Sequence, residues 1–159
     1  LGDTHSDVAR DERPLAEILK KDVAPYRAAL QAGLAGVMPA HVIYGRCDPE
    51  PPGYSKDWLQ DVLGGKLGFE GLIFSDDLSM AGASTAGGPP ERAQAALAAG
   101  CDMVLLCNDP EAQNRLLESL KDVAPPDAEK LERMRKKGGR DLRKSVAYRE
   151  AQESLLDLA

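Results

Sequence analysis

Two adjacent carboxylates, Asp76 and Asp77, follow the apolar run Leu72 to Phe74 and Ser75. A carboxylate pair at such a place can bind Mg²⁺, relay protons or attack a carbon centre, and residue type alone does not choose among these. Successive side chains of an extended chain point to opposite faces. One of the two is therefore expected to face a site while the other supports it or the neighbouring loop. Two further apolar runs end on polar residues in the same way. Leu34 to Met38 leads to His41, and Met103 to Cys107 leads to Asn108 and Asp109.

The elements that must position these groups repeat. Pro14 to Gln31 carries Leu15, Ile18, Leu19, Val23, Tyr26 and Leu30 at helical spacing, predicting a helix kinked at Pro25 and ended by Gly33. Ser55 is placed to cap a helix over Trp58, Leu59, Val62 and Leu63, with Gly64, Gly65 and Gly68 to end it. A third helix is expected from Pro89 to Gly100. Each helix precedes an apolar run without polar alternation, which marks parallel strands covered on both faces and hence an α/β fold. Such folds gather ligands at the carboxyl ends of their strands, so His41, Asp76 and Asn108 are expected on one rim. Asp109, before Pro110, is expected to cap the next helix.

Composition narrows the partners. A net charge of −6 over 159 residues leaves no basic field for nucleic acid. No apolar run approaches the roughly 20 residues of a membrane span, and no signal pattern opens the chain, so a soluble cytoplasmic protein is expected. Cys47, Cys101 and Cys107 have no metal-ligand spacing and read as free thiols. Leu1 to Asp11 reads as a polar loop, and the charged stretch Asp127 to Arg143 and Tyr148 to Leu158 read as peripheral helices with solvated charges.

The run GLIFSDDLSM, with AGVMPAHVIY before it and AAGCDMVLLCND after it, resembles glycoside hydrolase family 3, and within it the bacterial β-N-acetylglucosaminidases that recycle peptidoglycan. The resemblance is collinear over about Leu1 to Leu120, including the DERPL and DWLQDVL segments. It implies a (β/α)8 barrel of which the last three or so βα units are present in residues 1–120, with peripheral helices over 121–159. It also implies that Asp76, the first aspartate after the serine, is the nucleophile of a retaining reaction passing through a covalent glycosyl-aspartate. The general acid/base in this branch is a histidine on a mobile loop, paired with an aspartate two residues earlier; an imidazole suits the task because its pKa lies near neutrality.

The segment LGDTHSD fits that loop in two registers. In one, His5 is the acid/base and Asp3 its orienting partner. In the other, Asp7 is the dyad aspartate, its Ser-His is deleted, and His5 is only a loop histidine. His41 matches a strand-end position that either lines the sugar pocket or is held by its neighbours.

The substrate implied is N-acetylglucosamine at the end of a muropeptide-derived glycan, with neither metal nor organic cofactor. The family's Lys-His segment and an upstream Asp and Arg have no counterpart, so the chain alone is expected to be inactive and, through open sheet edges, to associate. Two rivals remain at this point: a metal-dependent barrel lyase using Asp76 and Asp77 as Mg²⁺ ligands, and a non-catalytic sugar-binding fragment.

Overall fold

The computed structural model describes residues 2–135, together with 145, 146, 148 and 150. Three parallel strands form its centre: β2 (Gly36–Val37), β4 (Leu72–Asp77) and β5 (Met103–Leu105), in the order β2-β4-β5. Gly36 pairs with Leu72 and Phe74 with Met103, and the β4-β5 register shifts between Phe74 and Asp77. The three expected strands are thus neighbours in one sheet, each entered from a helix.

A second pair corrects the reading of the amino-terminal segment as a polar loop. Ala9–Asp11 forms β1, which runs parallel to β3 (Val42–Tyr44), with Arg10 opposite Ile43. Ala9 and Asp11 are buried on either side of an exposed Arg10, an alternation that emerges only once β3 supplies the partner. Arg13 then fastens the end of β1: it chelates the buried Asp11 carboxylate and reaches Asp22 beyond the next helix.

The helices differ from expectation in two places. Pro25 does more than kink the first one. The chain breaks into α1 (Leu15–Lys21) and α2 (Ala24–Gln31), with Pro25 in the first turn of α2, where its missing N–H costs nothing. The helix Asp57–Lys66 is wound wide, with bonds such as Leu67 N–H to Val62 O at 3.0 Å. Gly64 and Gly65 therefore lie inside it rather than at its end. Its start is as expected, Ser55 Oγ accepting from Trp58 N–H at 3.1 Å, and Gly68 at φ 70° turns the chain away after Leu67.

Helix α3 (Pro89–Ala99) follows β4, and α4 (Pro110–Ser119) follows β5, capped by the Asp109 carboxylate on Ala112 N–H at 2.9 Å as expected. Leu59, Phe69, Ile73, Ala96, Ala99 and Cys101 make the main core between the wide helix, α3 and the sheet. Burial there pushes the Cys101 thiol up to about 12, so it is not a nucleophile. All three cysteines are free.

Leu78, fully buried against Ala93 and Leu116, anchors the turn that leaves β4. Replacing Leu78 with alanine is expected to cost about 2–5 kcal/mol in denaturant unfolding. A loss below about 1 kcal/mol would show that this turn is not fixed by its core contact.

Helix α5 (Ala128–Met134) lies across the amino ends of the strands, away from the rim. Lys130 pairs with Asp102 at 2.9 Å and Arg133 with Glu70 at 3.4 Å, so two of its charges fasten it instead of only being solvated. Of the helix expected over Tyr148 to Leu158, only Tyr148 and Glu150 fall within the described residues. No helix among the described residues is long and apolar enough to cross a membrane.

Candidate active site

The contacts at the end of β4 separate the two aspartates. Ile73 belongs to the helix-covered core, and the buried Ser75 accepts from Leu105 N–H at 2.9 Å within the stretch where the β4-β5 register shifts. Asp77 is held in place. Its carboxylate accepts from Ser79 N–H at 2.9 Å, Ser79 Oγ at 2.7 Å and Cys107 N–H at 2.9 Å, tying β4 to the end of β5. Partial burial pushes the Asp77 carboxyl up, but the hydrogen bonds from Ser79 and Cys107 together outweigh it and hold it below the ordinary carboxylate value. Asp76 accepts from its neighbour's N–H at 2.9 Å and is half-buried. The two carboxylates thus have separate hydrogen-bond partners, and among the described residues there is no group of three or more His, Cys, Asp or Glu side chains placed to hold a metal ion.

His41 sits beneath this rim with only 1% of its surface exposed. Its Nε2 donates to the Asp77 carbonyl at 3.1 Å, and the Tyr54 ring lies 5.8 Å away. Nδ1 is buried without a hydrogen-bond partner among the described residues, as fits a neutral ring carrying its proton on Nε2. Burial drives the His41 pKa down, opposed by the negative charge of Asp76, which places the two groups in electrostatic range. The sign of the linkage follows: a pKa depressed on folding gives stability that is complete above about pH 6.5 and is lost as pH falls towards the folded value. The stability of the chain should therefore slope downward below about pH 6.5, and His41→Gln should flatten that part of the profile. Parallel profiles for the two proteins would show that His41 does not titrate with unfolding.

The amino-terminal loop reaches the same rim. His5 Nδ1 lies 2.9 Å from Asp3 Oδ1, and the His5 N–H donates to the same oxygen at 3.0 Å. The His5 backbone and side-chain hydrogen bonds hold the Asp3 carboxyl below its ordinary value, so an ionised Asp3 is the acceptor of the His5 Nδ1 proton. This is the pairing required by the register in which His5 and Asp3 form the dyad; Asp7 instead accepts from Val8 N–H at 2.7 Å. Both side chains are open, His5 78% and Asp3 68% exposed. The loop is attached through its backbone: Gly82 N–H donates to Thr4 O at 3.0 Å and Ala81 N–H to His5 O at 3.5 Å. Residues 81 and 82 follow Asp76 by only five and six positions. Asn108, three residues beyond β5, lies in the left-handed region at φ 60°, a conformation asparagine tolerates, and is exposed.

Three contributors escaped the sequence reading. Arg92, within the ERAQAALAA helix, donates to the carbonyls of Leu78 and Gly87, each at 2.6 Å, and so closes both ends of the loop after β4. Tyr54 donates its hydroxyl to Ala83 O at 3.1 Å. Gly82 lies where His41 and the Thr4 carbonyl meet. Their work is done on backbone carbonyls or by the lack of a side chain, and residue type gives no signal of it. An apolar groove of about 400 Å³ beside β2, lined by Tyr26, Leu30, Val37, Met38 and Trp58 among others, includes none of the rim residues and is not the site.

Comparison with known proteins bears on the family and the fold. Residues 1–137 match the family described as glycosyl hydrolase family 3 N terminal domain. A beta-hexosaminidase of Nitrosospira multiformis is 58% identical over 118 residues, 74% of this chain and 34% of the relative. One of Chromobacterium violaceum is 52% identical over 134 residues, 84% of this chain and 38% of the relative. The crystal structure of NagZ from Neisseria gonorrhoeae in complex with N-trifluoroacetyl-D-glucosamine superposes with a TM-score of 0.78 at 38% identity, covering 99% of this chain and 47% of that one. The chain thus spans about a third to a half of the length of these relatives, and its three parallel βα units are an arc of a (β/α)8-type barrel. A family match over residues 1–137, with a superposition that covers 99% of the chain, places the chain in glycosyl hydrolase family 3.

Proposed function

We propose that the chain supplies the nucleophile-bearing part of a retaining exo-β-N-acetylglucosaminidase that releases terminal N-acetylglucosamine from peptidoglycan-derived muropeptides. The observation that carries this reading is the bonded Asp3–His5 pair on a loop docked, through Gly82 and Ala81, to the segment directly after Asp76. In the first step the Asp76 carboxylate attacks the anomeric carbon while His5, protonated, gives its Nε2 proton to the departing oxygen. Asp3 stabilises the imidazolium and keeps the ring oriented. In the second step the neutral His5 takes a proton from water, the hydroxide attacks the same carbon, and Asp76 leaves; two inversions give net retention. Asp77 and His41 are positioning residues on this reading. Asp77 pins the end of β4 to β5, and His41 holds the Asp77 carbonyl from below.

The test uses the chain both alone and joined to the amino-terminal part of the Nitrosospira multiformis relative. Hydrolysis of an aryl N-acetyl-β-glucosaminide by the joined protein, unaffected by EDTA and giving the β-anomer first by NMR, is the expected result. First release of the α-anomer, or turnover that stops on chelation, would overturn the retaining, metal-independent reading. The chemistry of a 2-acetamido sugar, with cytoplasmic muropeptides as its source, is the finer part of the proposal. It is checked by comparing the N-acetylglucosaminide with the matching glucoside.

A further inference from the structure

The loop after β4 is anchored at three carbonyls. Arg92 grips its two ends, the Tyr54 hydroxyl holds the Ala83 carbonyl, and Ala83 itself is fully buried. On this platform two successive N–H groups, those of Ala81 and Gly82, meet two successive carbonyls of the amino-terminal loop, those of His5 and Thr4. At Gly82 the loop after β4 closely approaches both the amino-terminal loop and His41. A Cβ built there would lie 2.9 Å from His41 Cβ, 3.1 Å from His41 O and 3.1 Å from Thr4 O. Gly82 is not among the residues with positive φ, so nothing in its own conformation demands glycine; the demand comes from the approach of its neighbours.

We infer that Gly82 is the seat for the loop carrying Asp3 and His5, a positioning residue that sets where the imidazole stands relative to Asp76. The inference rests on the reading of His5 as acid/base. A side chain at this point must displace either the backbone of His41 or the Thr4 carbonyl. His41 is buried and packed against Tyr54, whereas the side chains of Asp3 and His5 project into solvent. The loop is the side that yields. Gly82→Ala should therefore release the loop while leaving the sheet intact, and its consequence should fall on proton transfer.

Amide hydrogen exchange on this chain tests the seat directly. In Gly82→Ala the amides of Ser6 and Asp7, which close the loop's own turn on the Asp3 carbonyl, should exchange about ten-fold faster or more, while those of β4 stay as they were. Unchanged loop exchange would overturn the inference, as would equal acceleration in β4, which would make Gly82 merely structural. A second measurement needs no substitution: in the unaltered chain the Gly82 amide should be protected and open together with Ser6 and Asp7. Exchange of Gly82 at the rate of a free amide would overturn the seat even if the variant failed to fold. In the joined protein, Gly82→Ala should slow alkyl glycosides about ten-fold more than dinitrophenyl glycosides. Release of the loop with equal losses on both substrates would leave the docking in place and overturn the role of His5 on which the positioning claim stands.

Discussion

Replacing Asp76 with glycine in the joined protein is expected to lower turnover of an aryl N-acetylglucosaminide by on the order of 10⁴-fold or more, the scale seen when a catalytic nucleophile is removed. Asp76 is half-buried and its carboxylate accepts from its neighbour's N–H, so the vacated space should be reachable from solvent and the substitution should leave the fold largely undisturbed. Azide is small enough to enter that space and attack the anomeric carbon once. Its addition should therefore restore part of the rate and yield a glycosyl azide of inverted, α configuration. Asp77→Gly should behave differently. It removes the acceptor of three hydrogen bonds from Ser79 and Cys107, so it should loosen the junction of β4 with β5 and show no azide rescue. Rescue at position 77 instead of 76 would mean that the roles of the two aspartates are reversed.

The second large effect belongs to His5. General acid catalysis contributes about 10²- to 10⁴-fold when the leaving group is a poor one, and little when the leaving oxygen is already stable as an anion. His5→Ala should therefore cost about 10²-fold or more on an alkyl glycoside and much less on a dinitrophenyl glycoside, measured as kcat/KM in the joined protein. Asp3→Asn should follow the same pattern with smaller losses, because the ring keeps a hydrogen-bond partner but loses the charge that stabilises its protonated form. Equal losses on both substrates would remove His5 from proton transfer.

These two positions were not equally legible. Asp76 stood out because an apolar run without alternation ends in a doubled carboxylate, and the period-two rule of a strand then assigns one carboxylate to each face. The strands β2, β4 and β5 and the caps at Ser55 and Asp109 were legible for the same reason. Short-range pattern and cap chemistry specify them. The β1-β3 pair was not legible, since each strand is three residues long and its partner lies 33 positions away, so no local pattern defines it. Nor was the width of the helix Asp57–Lys66. Glycine normally reads as a helix end, yet Gly64 and Gly65 lie within the wide winding and Gly68 provides the stop.

The dyad loop shows a further limit. Two registers of LGDTHSD were equal in the sequence because both place an aspartate near a histidine; the bonded Asp3–His5 geometry supports the proposal built on the first. The residues around the loop escaped altogether. Arg92 and Tyr54 act on backbone carbonyls, and Gly82 acts through the closeness of His41 and Thr4. The charges of α5 were read as solvated because their partners, Asp102 and Glu70, are remote in sequence and become neighbours only when the strands assemble.

The central claim, that Asp76 forms a covalent bond to the sugar, is tested most directly by trapping that bond. A 5-fluoro N-acetylglucosaminyl substrate slows both steps, and with a good leaving group attached it should accumulate the glycosyl ester in the joined protein. Proteolysis and tandem mass spectrometry would then place the added mass on one residue of the peptide containing Asp76 and Asp77. The label is expected on Asp76 alone, with none formed in Asp76→Gly. A label on Asp77, or turnover of the substrate with no ester at any stage, would contradict it.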